Sequence, residues 1–363
     1  MNKSVSLPTL RRNKSTGASI RGSLALDQRP TRRRPKRTGA TLKGKQQPVT
    51  PLEIREPRLP RLKVPKKETR NVELRGEARL LQELTSGVSS VFPNILPLRT
   101  FVEETTRILS TLGFTRDNTL AVVGLSRDER TRPLLNALSK VWGEPYVTHS
   151  LGSQCNVGPT GLKQILSHAP LQNSQSRTKV VIFACPNMAC NQDGDAGWLY
   201  RPNRPEPVPT SSELVEFVSR LKAGRFNLNP HGAPHAGDPG GVEREALDPE
   251  DLEMSVMCAK LVNQLARDGG LNDTSLPAVS RLACRAALHD FDTLVRRHVN
   301  LENCDVAIVG AVQVHGQYQE FGSAKELKFD TEFVALQAGY AIVGGERRAF
   351  EKDQRQLALE FVG

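Results

Sequence analysis

The chain has 363 residues and a formal net charge of +11, from 50 Lys and Arg against 39 Asp and Glu. No stretch approaches the roughly 20 apolar residues that cross a bilayer, and no apolar secretory core opens the sequence, so a soluble protein not secreted by that route is expected. Six cysteines in a chain this long are too sparse for a disulfide scaffold and read as buried free thiols in a reducing compartment.

The charge is confined to one end. The first 70 residues hold 20 basic residues and 4 acids, while the remaining 293 hold 30 and 35. A basic, Pro-rich arm over residues 1–78 therefore precedes a slightly acidic body over 79–363. Its cations cluster as Arg32, Arg33, Arg34, Lys36 and Arg37, then as Arg58, Arg61, Lys63, Lys66 and Lys67. Proline keeps such a chain out of helix and sheet while the cations project outward, so the arm should be extended or disordered alone. That suits partner binding along a large acidic surface: nucleic acid, an anionic membrane face, or an acidic protein polymer such as a microtubule. Residues 1–78 contain no aromatic to stack on bases, which disfavours nucleic acid beyond phosphate attraction. A plain solvated tail and a nuclear address at Arg32–Arg37 are open alternatives. So is an Arg- and Ser-rich transit peptide, although the arm lacks an amphipathic stretch.

In the body, Phe101, Thr105, Ile108, Leu109 and Leu112 recur at helical spacing, and Gly113 closes the run. Residues 118–125 form a short continuous apolar run, the pattern of a strand covered on both faces. Ser126-Arg127-Asp128-Glu129 follows, then an amphipathic helix to about Trp142. Lys179–Cys185, Asp305–His315 and Gly339–Val343 read as further strands, with helices at about 211–223, 249–267 and 276–299. This alternation predicts an α/β domain with a mostly parallel central sheet flanked by helices. Ligands in such sheets sit at the carboxyl ends of strands, which directs attention to 125–130, 185–196 and 313–318.

Those strand ends carry Val-Gly-Leu-Ser-Arg-Asp-Glu at 123–129, Ser-Leu-Gly at 150–152, Gly-Pro-Thr-Gly-Leu at 158–162 and Ile-Phe-Ala-Cys-Pro-Asn-Met-Ala at 182–189. Gly-Val-Ser-Ser-Val-Phe-Pro at 87–93 and Gly-Ala-Val-Gln-Val-His-Gly at 310–316 flank them. The ordered set resembles the limiting-CO2-inducible protein B/C family, whose fold is similar to that of β-type carbonic anhydrases, commonly dimeric with one zinc per site. The resemblance implies two thiolates and one imidazole as zinc ligands and an Asp-Arg pair that positions the metal-bound water. This sequence departs at every ligand: Ser126 and Ser211 stand in the two Cys positions and Asn187 in the His position. Arg127 and Asp128 persist as a vestigial dyad, for which a structural ion pair or strand-end hydrogen bonds are the remaining role.

Zinc is held by groups that supply negative charge or a strong nitrogen donor at neutral pH. Two hydroxyls and an amide supply neither, so no cofactor and no catalytic residue are expected. Cys185, Cys190, His231, His235, Asp238 and His315 are the residues from which a substitute metal site would have to be built; buried thiols, a polar loop and a satisfied core histidine are the plainer reading. The glycine clusters at 237–241 and 343–346 lack a Walker lysine or a dinucleotide fingerprint and read as turns.

Two functions follow. In the first, a pseudoenzyme of carbonic anhydrase type acts as a structural or interaction subunit, as a homodimer or a paralogue dimer. Its basic arm docks it on tubulin or axonemal proteins, in the cytoplasm, cytoskeleton or cilium/flagellum. In the second, it is a chloroplast or mitochondrial protein of inorganic-carbon metabolism, either carbonic anhydrase or regulatory subunit, with residues 1–70 as a transit peptide.

Overall fold

The structure, a computed structural model, describes residues 67–170, 177–201, 204, 206–226, 248–271, 273–320 and 327–350. The arm's cations from Arg32 to Lys66 lie outside the described residues, as does the loop carrying His231, His235 and Asp238.

The chain enters through helix α1 (Lys67–Val91), so the segment 67–78, read above as the end of an extended arm, is helical. Pro65 is the last proline before it, and beyond it Leu80, Leu84 and Val88 recur every four residues and are buried, the stripe a packed helix needs. Then come β1 (Ile95–Pro97), α2 (Leu98–Thr111), β2 (Thr119–Leu125), α3 (Arg132–Trp142), β3 (Tyr146–His149), α4 (Pro159–Ser167) and β4 (Thr178–Cys185). The second half adds β5 (Asn187–Asn191), β6 (Trp198–Leu199), β7 (Val208–Pro209), α5 (Ser212–Lys222), α6 (Leu252–Asp268), α7 (Leu276–His298), β8 (Cys304–Glu320), β9 (Leu327–Val343) and β10 (Glu346–Ala349).

Eight strands form one sheet in the order β1-β9-β8-β4-β2-β3, with β5 also on β8 and β10 also on β9. Pairings among β3, β2, β4, β8 and β5 are parallel. Those of β9 with β1, β8 and β10 are antiparallel. β2 is buried throughout, and its alternate residues feed different cores. Ala121, Val123 and Leu125 pack with Phe101 and Leu109 of α2 and Leu134 and Leu138 of α3. Leu120 and Val122 pack with Leu162 of α4 and Phe291 of α7. A third core gathers α1, α5, α6 and α7 around Met188, Val312 and Val314. Helices therefore cover both faces of a mostly parallel sheet.

Two irregularities build the functional end. Pro186 cannot donate a ladder hydrogen bond, so β4 stops at Cys185 and β5 resumes at Asn187; the Pro186 carbonyl accepts instead from the Gln313 N–H at 2.9 Å. Opposite, β8 shifts register between Gly310 and Ala311. Beyond that bulge Gln313, His315 and Gln317 alternate along one face of β8, all buried.

Candidate functional site: a polar chain at the strand ends

Ser126 immediately follows β2, Asn187 opens β5 and Ser211 immediately precedes α5. All three are buried. Ser211 has φ +54°, the left-handed region that a non-glycine residue holds only under constraint. The constraint is visible: its Oγ lies 2.5 Å from the backbone oxygen of Asn187 and 2.6 Å from the side-chain Oδ1. The Asn187 Nδ2 sits 3.0 Å from His315 Nε2, and His315 Nδ1 sits 2.7 Å from Glu332 Oε2 on β9. With the amide turned this way, Nε2 accepts from Asn187 and Nδ1–H donates to the carboxylate. Gln313 Nε2 donates to the same Glu332 oxygen at 3.0 Å and to the Arg130 carbonyl at 3.2 Å. Ser211, Asn187 and His315, all buried, thus form one hydrogen-bonded chain that ends on the half-buried Glu332.

Ser126 joins this region from the neighbouring strand. Its Oγ is 3.4 Å from Ser153 Oγ, and Ser153, also at positive φ (+56°), donates to the Cys185 carbonyl at 2.8 Å. The turn that carries Ser153 is held by two carboxylates: Glu253 accepts from the Leu151 N–H and Glu213 from the Gly152 N–H, each at 3.0 Å. Burial is the largest influence on Glu213 and raises its pKa above the usual carboxylate range, against a smaller lowering by the backbone N–H groups of Glu213 and Gly152.

Arg127 and Asp128 turn to different partners. Arg127 Nη2 pairs with Glu253 Oε2 at 2.9 Å, whereas Asp128 accepts from the Arg130 N–H at 2.9 Å and lies 3.7 Å from Arg201, which also pairs with Glu129. Together with Thr131, Arg132 and His149 they line an open cleft of about 450 Å³.

The arrangement does not fit a zinc ion. A thiolate or imidazole lone pair has no counterpart at 126, 187 or 211, and Asn187 and Ser211 spend their polar atoms on each other and on His315. Nor is a substitute assembled nearby, since the described residues hold no cluster of three His, Cys, Asp or Glu side chains placed for a metal. Burial pushes the Cys185 and Cys190 thiols up to about 12, far from the thiolate form a metal needs. His315, a possible ligand by sequence, is engaged on both nitrogens.

Sequence reasoning located the three ligand-position residues and His315 but missed Ser153, Glu213, Glu253 and Glu332. The alternation Gln313-Val314-His315-Gly316-Gln317 was the available signal for one polar face of β8. Nothing in it announces Glu332, which meets His315 only through the antiparallel register of β8 and β9.

Residues 95–340 match the family described as limiting CO2-inducible proteins B/C beta carbonic anhydrases. Among solved structures, the limiting CO2-inducible protein LCIB aligns with a TM-score of 0.51 at 23% identity, covering 72% of this chain and 96% of that one. PtLCIB4, a homologue of LCIB, aligns at 0.55 and 17% identity, covering 73% and 98%. A mutant of the same homologue gives 0.57 at 16%, covering 74% and 98%. At these identities the likeness speaks for the fold. No curated protein matches the chain.

Proposed function

This chain belongs to the limiting CO2-inducible protein B/C family of β-carbonic-anhydrase-like proteins, and we propose that it is a pseudoenzyme of that family which serves as a structural or interaction subunit. The observation that carries the reading is the mutual hydrogen bonding of Asn187 and Ser211. Two of the three positions where the family holds its metal have become a self-satisfied polar contact, and the third, Ser126, is neutral as well. A site without zinc has no metal-bound water of lowered pKa to attack CO2. The fold remains as a rigid body, used as a homodimer or with a paralogue, and the basic arm fastens it to a large acidic lattice of tubulin or axonemal proteins. Fold alone does not assign function; here the donor set argues against catalysis and the charge asymmetry argues for docking.

Two experiments test this. Purified protein is expected to carry no stoichiometric zinc and to leave CO2 hydration at the uncatalysed rate; one zinc per chain with activity overturns the pseudoenzyme reading. Detergent fractionation of native cells, comparing the full chain with a version lacking residues 1–66 so that α1 stays whole, is expected to leave the full chain with the insoluble cytoskeleton and release the shortened one. Recovery from a chloroplast or mitochondrion with a shortened N-terminus would instead establish an organellar role in inorganic-carbon metabolism, to which the Arg- and Ser-rich, acid-poor start of the chain also lends itself.

A further inference from the structure

Phe350, the last described residue, aims the chain at an open groove. β10 runs antiparallel along the edge of β9, from Glu346 opposite Val343 to Ala349 opposite Tyr340, and the Phe350 N–H then donates to the Gly339 carbonyl at 2.9 Å. The Phe350 ring fills the space where Gly339 lacks a side chain, 2.2 Å from where a Cβ would stand, and is buried in the core that β9 shares with α2 and α3. At Phe350 the backbone is thus travelling down β9 toward Thr331, on the α2 and α3 face of the sheet. Ahead of it the edge of β9 is taken by β1, paired from Ala335, so the ladder offers no further place. On the same face a groove of about 570 Å³ opens between α2, α3 and the Thr331–Glu332 end of β9. Its floor is Leu98, Val102, Ala137 and Val141; Val102 belongs to the Phe350 core and the other three pack against it. Two cations, Arg99 and Lys140, and two carboxylates, Glu103 and Glu332, border the groove, so its rim selects no net charge.

We propose that the groove is the docking site of this chain's own segment 351–363, which continues from Phe350 and lays Leu357, Leu359 and Phe361 on the apolar floor. Reach supports the assignment. From Gly339 to Glu332 is seven residues of β9, about 24 Å at a rise of about 3.4 Å per residue. Seven residues of extended chain beyond Phe350 bring Leu357 to the same level. Pattern supports it as well: successive side chains of an extended segment point to opposite sides, which puts Leu357, Leu359 and Phe361 on one face. The only charged side chain in 356–363 is Glu360, on the opposite face, so the segment suits a rim without net charge. Tethering decides between occupants. A segment joined at Phe350 meets the groove at an effective concentration of roughly millimolar, far above that of a second copy in dilute solution. This contact is independent of the zinc-less reading, which stands or falls on other residues.

The test is photo-crosslinking of the full chain carrying p-benzoylphenylalanine in place of Phe361, at dilute protein, with the products mapped by mass spectrometry. Crosslinks are expected within one chain, to residues 98–102 and 137–141. Leu357→Ser with Leu359→Ser, which alters only the segment, should cut their yield about tenfold or more. Ala137→Arg, which fills the floor from the other side, should do the same with the circular dichroism spectrum unchanged; if that variant fails to fold, the serine pair still decides. Crosslinks scattered over the surface overturn the proposal, as do groove crosslinks that survive the serine pair. Crosslinks that join two chains also overturn it, and would make the occupant a second copy.

Discussion

Ser211 holds Asn187 by both of its oxygens, 2.5 Å from the backbone carbonyl and 2.6 Å from the side-chain Oδ1. A serine hydroxyl has one proton to share between them, and it sits in a left-handed backbone conformation to do so. The start of β5 is thereby tied to the start of α5. Removing the hydroxyl leaves a buried oxygen without a donor, at a cost of about 1–3 kcal/mol. Ser211→Ala should therefore lower the unfolding free energy measured in urea by that amount. Ser211→Gly loses the same hydrogen bond but relieves the positive φ, and should lie about 1 kcal/mol above the alanine variant. An alanine variant as stable as the glycine one would show that position 211 does not keep this backbone conformation.

Gly87, inside α1, approaches the 191–194 turn so closely that an added Cβ would stand 2.0 Å from the backbone oxygen of Gln192. The turn cannot easily retreat, because Asn191 Oδ1 accepts from the N–H groups of Asp193 and Asp195 at 3.0 and 2.8 Å. Two effects oppose one another in Gly87→Ala. Helix propensity favours alanine by about 1 kcal/mol, whereas a backbone clash forces α1 off its site. The clash should win, with a net loss of about 1–3 kcal/mol and faster protease cleavage within 67–91. A variant more stable than the native chain would mean that α1 does not pack here.

How legible this was follows from where each residue's partner lies. β2, β4 and the first half of β8 are continuous apolar runs, and such runs declare a doubly covered strand without any knowledge of neighbours. α1 escaped because its charged residues hide a stripe of only three leucine and valine positions, and the proline run before it invited an extended reading. β5 escaped because Pro186 looks like a stop when it is an interruption between two strands on the same partner, β8. At the site, Ser126, Asn187 and Ser211 were found through ordered motifs, but their contacts were not. Ser153 reaches Cys185 across 32 residues and Gln154 reaches Ala283 across 129, distances that no local pattern encodes.

Glu213 gives a pH dependence whose direction is fixed by its burial. Its folded pKa is raised from the ordinary value of 4.5, so between that value and the raised one the folded state binds more protons than the unfolded state. Its contribution to stability is therefore fully present below 4.5 and is lost as pH rises through the raised value. Glu213→Gln keeps an oxygen for the Gly152 N–H and removes the charge, so the fall in stability across that window should flatten. Urea melts at closely spaced pH values check this; identical slopes in the two proteins would place the Glu213 carboxylate in water.

The vacated ligand positions can be refilled, and the geometry says with what result. Asn187 and Ser211 already touch, and Ser126 connects through Ser153 to the Cys185 carbonyl two residues before Asn187. Ser126→Cys with Asn187→His and Ser211→Cys would thus bring two thiols and an imidazole to one place. His315, whose Nδ1–H is fixed by Glu332, would stand behind the new imidazole as an acceptor for its outer N–H, the arrangement that orients a metal-bound histidine. The triple variant should keep about one zinc per chain through desalting, read by elemental analysis. The single Asn187→His variant, with one nitrogen donor between two hydroxyls, should keep none. A folded triple variant without zinc would mean that the three positions no longer converge on a common point.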